Sequence, residues 1–223
     1  MNIFYESLRI LSMIFTVPFY FLRGIYALSR LHKPIVAIFG GKRALHENGH
    51  AHMANELGRM LAEKNMSVIT GGGPGIMSAA NCGVASAKEN AQSWTLGITL
   101  NRLDNDYTNP CAKVITVKYF FIRKWLLSRY SDIHIFMPGG LGTADELFNI
   151  LNLKKHSMLN QPIILIDQNY WQPLISWYQQ SREQEYIPLP IEKAFHVCNS
   201  AEEACTYIEK ELNKKPLNKM EHS

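Results

Sequence analysis

The sequence predicts an α/β fold, a Rossmann-like doubly wound parallel sheet with helices on both faces. Short apolar runs alternate with amphipathic helical segments from Lys33 onward, and glycine-rich loops follow two of these runs. Strict alternation of strand and helix is typical of a parallel sheet, because each helix returns the chain to the same edge. The 223 residues, 47% apolar and 19% charged, suffice for one well-packed domain.

The apolar runs predict six strands, most of which are followed by a helix or a glycine loop. The strands are expected at residues 35–40, 67–70, 93–100, 113–117, 133–138 and 162–167. In the first helical segment, Met53, Leu57, Met60 and Leu61 recur at helical spacing. Five further helical segments are predicted: one that begins near residue 76, one at 119–130, one after the loop at 139–143, and two at 171–181 and 200–212.

The first 32 residues differ from the rest and predict an N-terminal hydrophobic helix. Ile10 to Leu22 carries no charge, contains Pro18 and is bracketed by Arg9 and Arg23. This uncharged run is shorter than the roughly 20 residues that span a bilayer. A helix at a membrane surface, a helix packed on the domain or on a partner subunit, and insertion or secretion all stay open.

We therefore divide the chain into an N-terminal segment of residues 1–32, a domain of residues 33–215 and a polar tail of residues 216–223.

The net charge of +4 is small and the Lys and Arg residues are scattered along the chain, so no nucleic-acid partner is expected. The expected location is the cytoplasm, with membrane association if residues 1–32 contact a bilayer.

Cysteines and histidines give no metal-binding pattern. The four cysteines form no CxxC pair, the histidines form no HExxH motif, and we expect reduced thiols that pack as small apolar groups. His50 and His52 lie two residues apart in a predicted helix, where their side chains would point in different directions. Neither a metal nor a cofactor is expected.

Two glycine clusters, Gly71 to Gly75 and Gly139 to Thr143, each follow a strand and precede a helix. That position is the carboxyl edge of a doubly wound sheet, where ligands bind. Exposed peptide N–H groups and the positive end of a helix dipole suit a phosphate there. Neither cluster fits the GxxxxGK[ST] or GxGxxG phosphate motifs, which argues against an NTPase and a dehydrogenase.

Glu146 and Arg123 are the candidate chemical groups. Thr143 and Glu146 form an S/T-x-x-E capping box, which would place Glu146 in the first helical turn, where the dipole keeps it ionised. Arg123 is surrounded by apolar residues in "FFIRKWLL", so it must pair with an internal carboxylate or with an anionic ligand. The side chain of Lys124, the next residue on that helix, points in a different direction from that of Arg123.

These residues together resemble the LOG (Lonely Guy) family, formerly labelled "lysine decarboxylase-like". The matching segments are residues 39–43, 70–81, 119–124, 138–147 and 161–167. The signature PGGxGTxxE, preceded by Arg-Lys in the helix before it, is highly specific. The chain departs from many relatives at Ser78, Asn149 and Lys155.

The resemblance implies a nucleotide-binding domain that hydrolyses the N-glycosidic bond of nucleoside 5′-monophosphates, of AMP or cytokinin riboside type. It implies a homodimer with active sites near the subunit interface, and Arg123 and Glu146 as the catalytic pair. A nucleotide-binding protein without catalysis is the alternative. The substrate and phosphate contacts implied by the family motifs are Gly71, Gly72, Gly73, Gly75, Met77, Lys124, Gly139, Gly140, Gly142 and Thr143.

Overall fold

The computed structural model describes residues 3–43, 49–101 and 107–214, which form a seven-stranded parallel sheet covered by helices on both faces. The strands are β1 (Ile35–Phe39), β2 (Ser67–Thr70), β3 (Thr95–Leu100), β4 (Lys113–Val117), β5 (Ile133–Phe136), β6 (Ile163–Ile166) and β7 (His196–Cys198). Their order is β4-β3-β2-β1-β5-β6-β7. The predicted fold class is confirmed.

Eight α-helices connect and extend these strands within the described residues. They are α1 (Ile3–Leu28), α2 (Gly49–Glu63), α3 (Ile76–Ala87), α4 (Phe120–Arg129), α5 (Leu141–Lys155), α6 (Gln168–Glu183), α7 (Ile191–Ala194) and α8 (Ala201–Lys214). The six predicted strands are present, whereas β7 and α7 were not predicted. Three or four residues are too few to show a hydrophobic period.

The strands are apolar throughout because both faces of the sheet are buried. In β1, Ile35, Ala37 and Phe39 belong to one core, and Val36 and Ile38 belong to the other. Helices α1, α4, α5 and α6 contribute to the first core, and α2, α3 and α8 contribute to the second. Successive side chains of a strand point to opposite faces of the sheet, so each strand contributes residues to both cores.

Helix α1 is longer than the uncharged run at its centre, since it continues through Pro18 and Arg23 to a length of 26 residues. Leu28 at its end is buried in the first core. By length and composition, Ile10–Leu28 is apolar enough to cross a membrane, a test that some core helices and signal sequences also pass. The predicted polar tail, residues 216–223, lies outside the described residues.

The prediction of four reduced cysteines is wrong for one pair. Cys82 on α3 and Cys111 before β4 form a disulfide, although they are 29 positions apart in the sequence. Their spacing in sequence gave no sign of this, because the fold brings the two segments together. Cys198 and Cys205 are free and buried, and burial raises the pKa of their thiols to about 11 and about 12.

Candidate active site

A cavity of ≈ 430 Å³ opens at the carboxyl edge of the sheet. Strand β1 lies between β2 and β5, so the order of connection reverses beside it. In doubly wound sheets this reversal leaves a crevice where ligands bind. The loops that follow β1, β2 and β5 all contribute to the cavity, through Gly40 to Arg43, Gly71 and Gly140.

The loop after β5 leads directly into α5. The amides of Thr143 and Ala144 both donate to the carbonyl of Gly140, at 3.0 and 3.1 Å. The N–H groups of Leu141 and Gly142, in the first turn, have no partner within a helix. Both residues line the cavity, so the positive end of the α5 dipole points to a place that suits a phosphate.

The capping box predicted for Thr143 and Glu146 is wrong. Gly140 is the N-cap of α5 and Leu141 is the first helical residue, so the helix begins before Thr143. Within the part of the chain that the structure describes, no side chain caps this end by a hydrogen bond. Glu146 consequently lies in the second turn and not in the first, where the effect of the dipole is weaker.

The loop after β2 is shaped by its glycines. Gly72 and Gly75 have φ angles of 76° and 70°, a region that other residues rarely adopt. Thr70 Oγ1 accepts a hydrogen bond from Gly72 N at 3.1 Å and donates to Asn81 Oδ1 at 2.9 Å. A side chain at Gly75 would collide with the backbone of Lys42, so this loop packs closely on the one after β1.

Arg123 and Glu146 meet in the cavity wall. Arg123 Nη1 donates to Glu146 Oε1 at 3.1 Å, and Arg123 Nε donates to the carbonyl of Ile98 at 2.9 Å. Their side chains are 16% and 4% exposed. Among the described residues, Glu146 Oε2 is buried without a hydrogen-bond partner. The pair thus leaves one carboxylate oxygen for a ligand or a water.

Burial raises the pKa of Glu146 above its ordinary value. The positive charges of Arg123 and Lys124 lower it, and the charge of Asp145 raises it further, but burial has the largest effect. Burial, which the expectation of an ionised Glu146 left out, therefore opposes the effect of the helix dipole on this carboxyl group. Desolvation disfavours the charged form of a carboxyl group, and Arg123 partly offsets this.

The structure brings seven of the predicted site residues together around the cavity. They are Gly71, Met77, Arg123, Gly140, Gly142, Thr143 and Glu146. Five others do not line it: Gly72, Gly73, Gly75, Lys124 and Gly139. Lys124 forms an ion pair with Asp145 at 2.7 Å. Gly139 packs against Thr143 and Gly41, and its carbonyl accepts a hydrogen bond from Tyr170.

Several cavity residues were missed in the sequence. Lys42 and Arg43, after β1, add two basic side chains to the wall, to which Thr99, Phe120 and Leu141 also contribute. The signal for the basic pair was available, since "GGKR" follows a buried strand as the other glycine loops do. The remaining three have no such signal, because their neighbourhood depends on tertiary packing.

The three departures from the family pattern lie outside the cavity wall. Ser78 is buried on α3, Asn149 is half-buried on α5, and Lys155 is exposed at the end of α5. Within this chain, none of the three therefore changes the lining of the cavity.

A second polar cluster lies behind the loop after β5. His50 Nε2 is 2.8 Å from Asp167 Oδ2, and the other carboxylate oxygen of Asp167 accepts from Tyr170 N at 3.2 Å. Tyr170 in turn donates to the carbonyl of Gly139. Residues 3–43, 49–101 and 107–214 contain no group of three His, Cys, Asp or Glu side chains placed to hold a metal ion.

Fold and site together define a Rossmann-like α/β protein with a cavity suited to an anionic ligand and a buried arginine–carboxylate pair. Residues 77–208 match the model of the family described as "Possible lysine decarboxylase". The chain belongs to this family, the LOG family. The resemblance read from the glycine-rich motifs is thereby confirmed.

Curated relatives carry one enzyme name. The chain is similar to the cytokinin riboside 5′-monophosphate phosphoribohydrolase of Rhodococcoides fascians, with 24% identity over 78% of this chain and 88% of the relative. An enzyme of the same name from Arabidopsis thaliana is 27% identical over 82% of this chain and 79% of the relative. One from Mycobacterium tuberculosis is 28% identical over 66% and 79%.

Solved structures support the fold. The molybdenum cofactor carrier protein of Chlamydomonas reinhardtii superposes with a TM-score of 0.61 at 23% identity, covering 82% of this chain and 99% of that one. The molybdenum cofactor binding protein of Rippkaea orientalis gives 0.60 at 22%, covering 81% and 98%. At this identity the likeness concerns the architecture alone.

Proposed function

We propose that the protein hydrolyses the N-glycosidic bond of nucleoside 5′-monophosphates to a free base and ribose 5-phosphate. The substrates expected are AMP and cytokinin riboside monophosphates. The observation that carries the proposal is Glu146, whose buried carboxylate keeps one oxygen without a hydrogen-bond partner among the described residues, in the same cavity as the α5 N-terminus. The curated relatives named as phosphoribohydrolases support it.

The cavity supplies a place for the phosphate. The first turn of α5 presents the N–H groups of Leu141 and Gly142, and Lys42 and Arg43, in the loop after β1, line the same cavity. Backbone donors and cations together favour a phosphate dianion over a neutral group. With the phosphate held at the start of α5, the ribose extends toward the second turn, which carries Glu146.

Glu146 then acts on the sugar. The bond from C1′ to the base nitrogen breaks with its electron pair leaving on the base, water adds to C1′, and a proton ends on the base. The transition state resembles an oxocarbenium ion, which an ionised carboxylate stabilises while its second oxygen orients the water. Arg123 holds Oε1 and leaves Oε2 for this role.

The ionised form of Glu146 is the active one in this mechanism, which fixes the direction of the pH dependence. Since burial raises the pKa of Glu146, kcat should fall as the pH decreases, with an apparent pKa above the ordinary value of about 4.3. A rate that instead rises toward acid would identify a protonated Glu146 as the active form and would overturn this assignment.

The decisive variants are Glu146→Gln and Asp145→Asn. Both remove one carboxylate from adjacent positions of α5, but the side chain of Asp145 is 49% exposed and pairs with Lys124 away from the cavity. Release of base from a panel of nucleoside monophosphates, followed by chromatography, should be lost in Glu146→Gln and retained in Asp145→Asn. Turnover by Glu146→Gln at the normal rate would contradict the proposal.

One observation favours the alternative of a nucleotide-binding protein without catalysis. Burial raises the pKa of Glu146 and so lowers the fraction that is ionised, and the ion pair with Arg123 neutralises part of the charge of the ionised form. This alternative predicts thermal stabilisation by nucleoside monophosphates without formation of free base. The same nucleotide panel, examined for both readouts, separates the two.

We further propose a homodimer in which the partner subunit borders the cavity. Leu141, at the cavity wall, is 90% exposed, and Phe148 and Trp177 on α5 and α6 form an exposed edge-to-face pair. Exposed apolar side chains clustered beside a site are typical of subunit interfaces. Sedimentation of the wild type and of Phe148→Gln tests this, with a shift to monomer expected in the variant.

A further inference from the structure

We propose that α1 anchors the protein on the surface of a lipid bilayer. Five large apolar side chains recur along its outward face at spacings of three and four residues, and each is more than half exposed. They are Leu11, Phe15, Phe19, Leu22 and Tyr26. We call this set the outer stripe. An exposed stripe of this length on one helix marks an interaction surface.

The first half of α1 projects beyond the domain. Ile10 lies on the same side of the helix as Val17 and Gly24, since it precedes them by seven and fourteen residues. Val17 and Gly24 pack on the domain, whereas Ile10 is 62% exposed. Ile14 is exposed to a similar extent. The apolar surface of this half therefore extends around the helix and beyond the outer stripe.

The second half of α1 packs on the domain. Thr16 Oγ1 shares a hydrogen bond of 2.7 Å with the hydroxyl of Tyr119, and the rings of Phe21 and Trp125 meet edge to face at 5.1 Å. A side chain at Gly24 would overlap Leu126. Crossing a bilayer with Ile10–Leu28 would break these contacts, so the geometry favours a helix lying at the membrane surface.

Basic and aromatic side chains at the end of the outer stripe suit lipid headgroups. Arg23 is exposed, and Arg30 Nη1 donates to the hydroxyl of Tyr26 at 3.0 Å. Tyr and Arg hold such positions at the interface because an apolar body and a polar tip fit that boundary. A flat contact with a second copy would cover one side of the helix, whereas partial immersion of α1 in the headgroup region of a bilayer also covers residues such as Ile10 and Ile14, which lie off the outer stripe.

Anchoring would also fix how the active site faces the membrane. The contacts of α1 with Tyr119, Trp125 and Leu126 all fall on or beside α4, the helix that carries Arg123. Phe120, at the start of α4, lines the cavity. The bilayer surface and the cavity mouth would therefore be held at a fixed distance by one rigid helix.

Vesicle flotation of the full chain tests the proposal. The vesicles contain phosphatidylcholine mixed with anionic phosphatidylglycerol. The test variant is Phe15→Gln with Phe19→Gln, and the matched control is Met158→Gln with Tyr186→Gln, which removes two comparably exposed apolar side chains that do not belong to α1. The wild type and the control should float with the vesicles, and the test variant should bind at least about tenfold less.

Thermal melting of the same variants shows whether they are folded, since exposed positions should leave the midpoint unchanged. Absence of vesicle binding by the wild type, or equal binding by the test variant, would overturn the proposal. The proposal would also be overturned if the wild type bound no lipid and the test variant no longer formed a dimer, because the outer stripe would then be the contact between two copies of the chain. Protection of an N-terminal tag inside sealed vesicles would show a span instead.

Discussion

The ion pair between Arg123 and Glu146 should be measurable as a coupling free energy. Replacing Arg123 by Gln leaves a carboxylate that is 4% exposed without its neighbour at 3.1 Å. Loss of one partner from a buried pair costs about 3–5 kcal/mol of unfolding free energy. Replacing Glu146 as well removes the uncompensated charge, so the double variant should lose about 2 kcal/mol less than the sum of the single variants.

Urea unfolding at neutral pH, followed by the fluorescence of the four tryptophans, measures this cycle. The neighbouring pair Lys124 and Asp145 is the control, since it joins the same two helices at 2.7 Å but the side chain of Asp145 is 49% exposed. Its coupling should stay below about 1 kcal/mol. Additivity of Arg123→Gln and Glu146→Gln within about 0.5 kcal/mol would refute the reasoning.

Two further predictions concern the core and the phosphate loop. Burial lowers the pKa of His134 to about 4, so the unfolded chain binds its proton first and stability should decline as the pH falls from about 6.5 toward 4. Urea titrations of the wild type at several pH values should show that the free energy of unfolding falls by roughly 3 kcal/mol over this pH range, and His134→Gln should not show this loss. An equal loss in the variant would contradict the role given to His134. A side chain at Gly139 would collide with Thr143, whereas no described residue outside its own helix lies within 4 Å of a side-chain carbon placed at Gly49. Gly139→Ala should therefore raise KM for a nucleotide and lower the melting temperature, and Gly49→Ala should change neither; equal behaviour of the two would exclude a packing role for Gly139.

The sequence was most informative where burial on both faces of the sheet dictates composition. Strand β1 is apolar at every position because Val36 and Ile38 face one core while Ile35 and Phe39 face the other. The glycine loops were visible for a related reason, since only glycine adopts the φ angles of Gly72 and Gly75 readily. The sequence also predicted an anionic partner for Arg123, because an arginine on an apolar helix needs an anion.

Features that depend on tertiary proximity could not be predicted in the same way. The start of α5 was misplaced, because Thr143 and Glu146 fit a capping pattern that the actual N-cap, Gly140, does not display. Cys82 and Cys111 became neighbours only through folding. The raised pKa of Glu146 reflects burial, and no local pattern in the sequence records burial of a single carboxylate.

The most direct test of the central claim is a mass balance on one nucleotide. The full chain is incubated with AMP, and free adenine and ribose 5-phosphate are quantified together in the wild type, in Glu146→Gln and in Asp145→Asn. Hydrolysis through Glu146 predicts equal amounts of the two products from the wild type and from Asp145→Asn, and neither from Glu146→Gln. Binding of the nucleotide with no free base released, neither adenine from AMP nor the cytokinin base from a cytokinin riboside monophosphate, would contradict the claim.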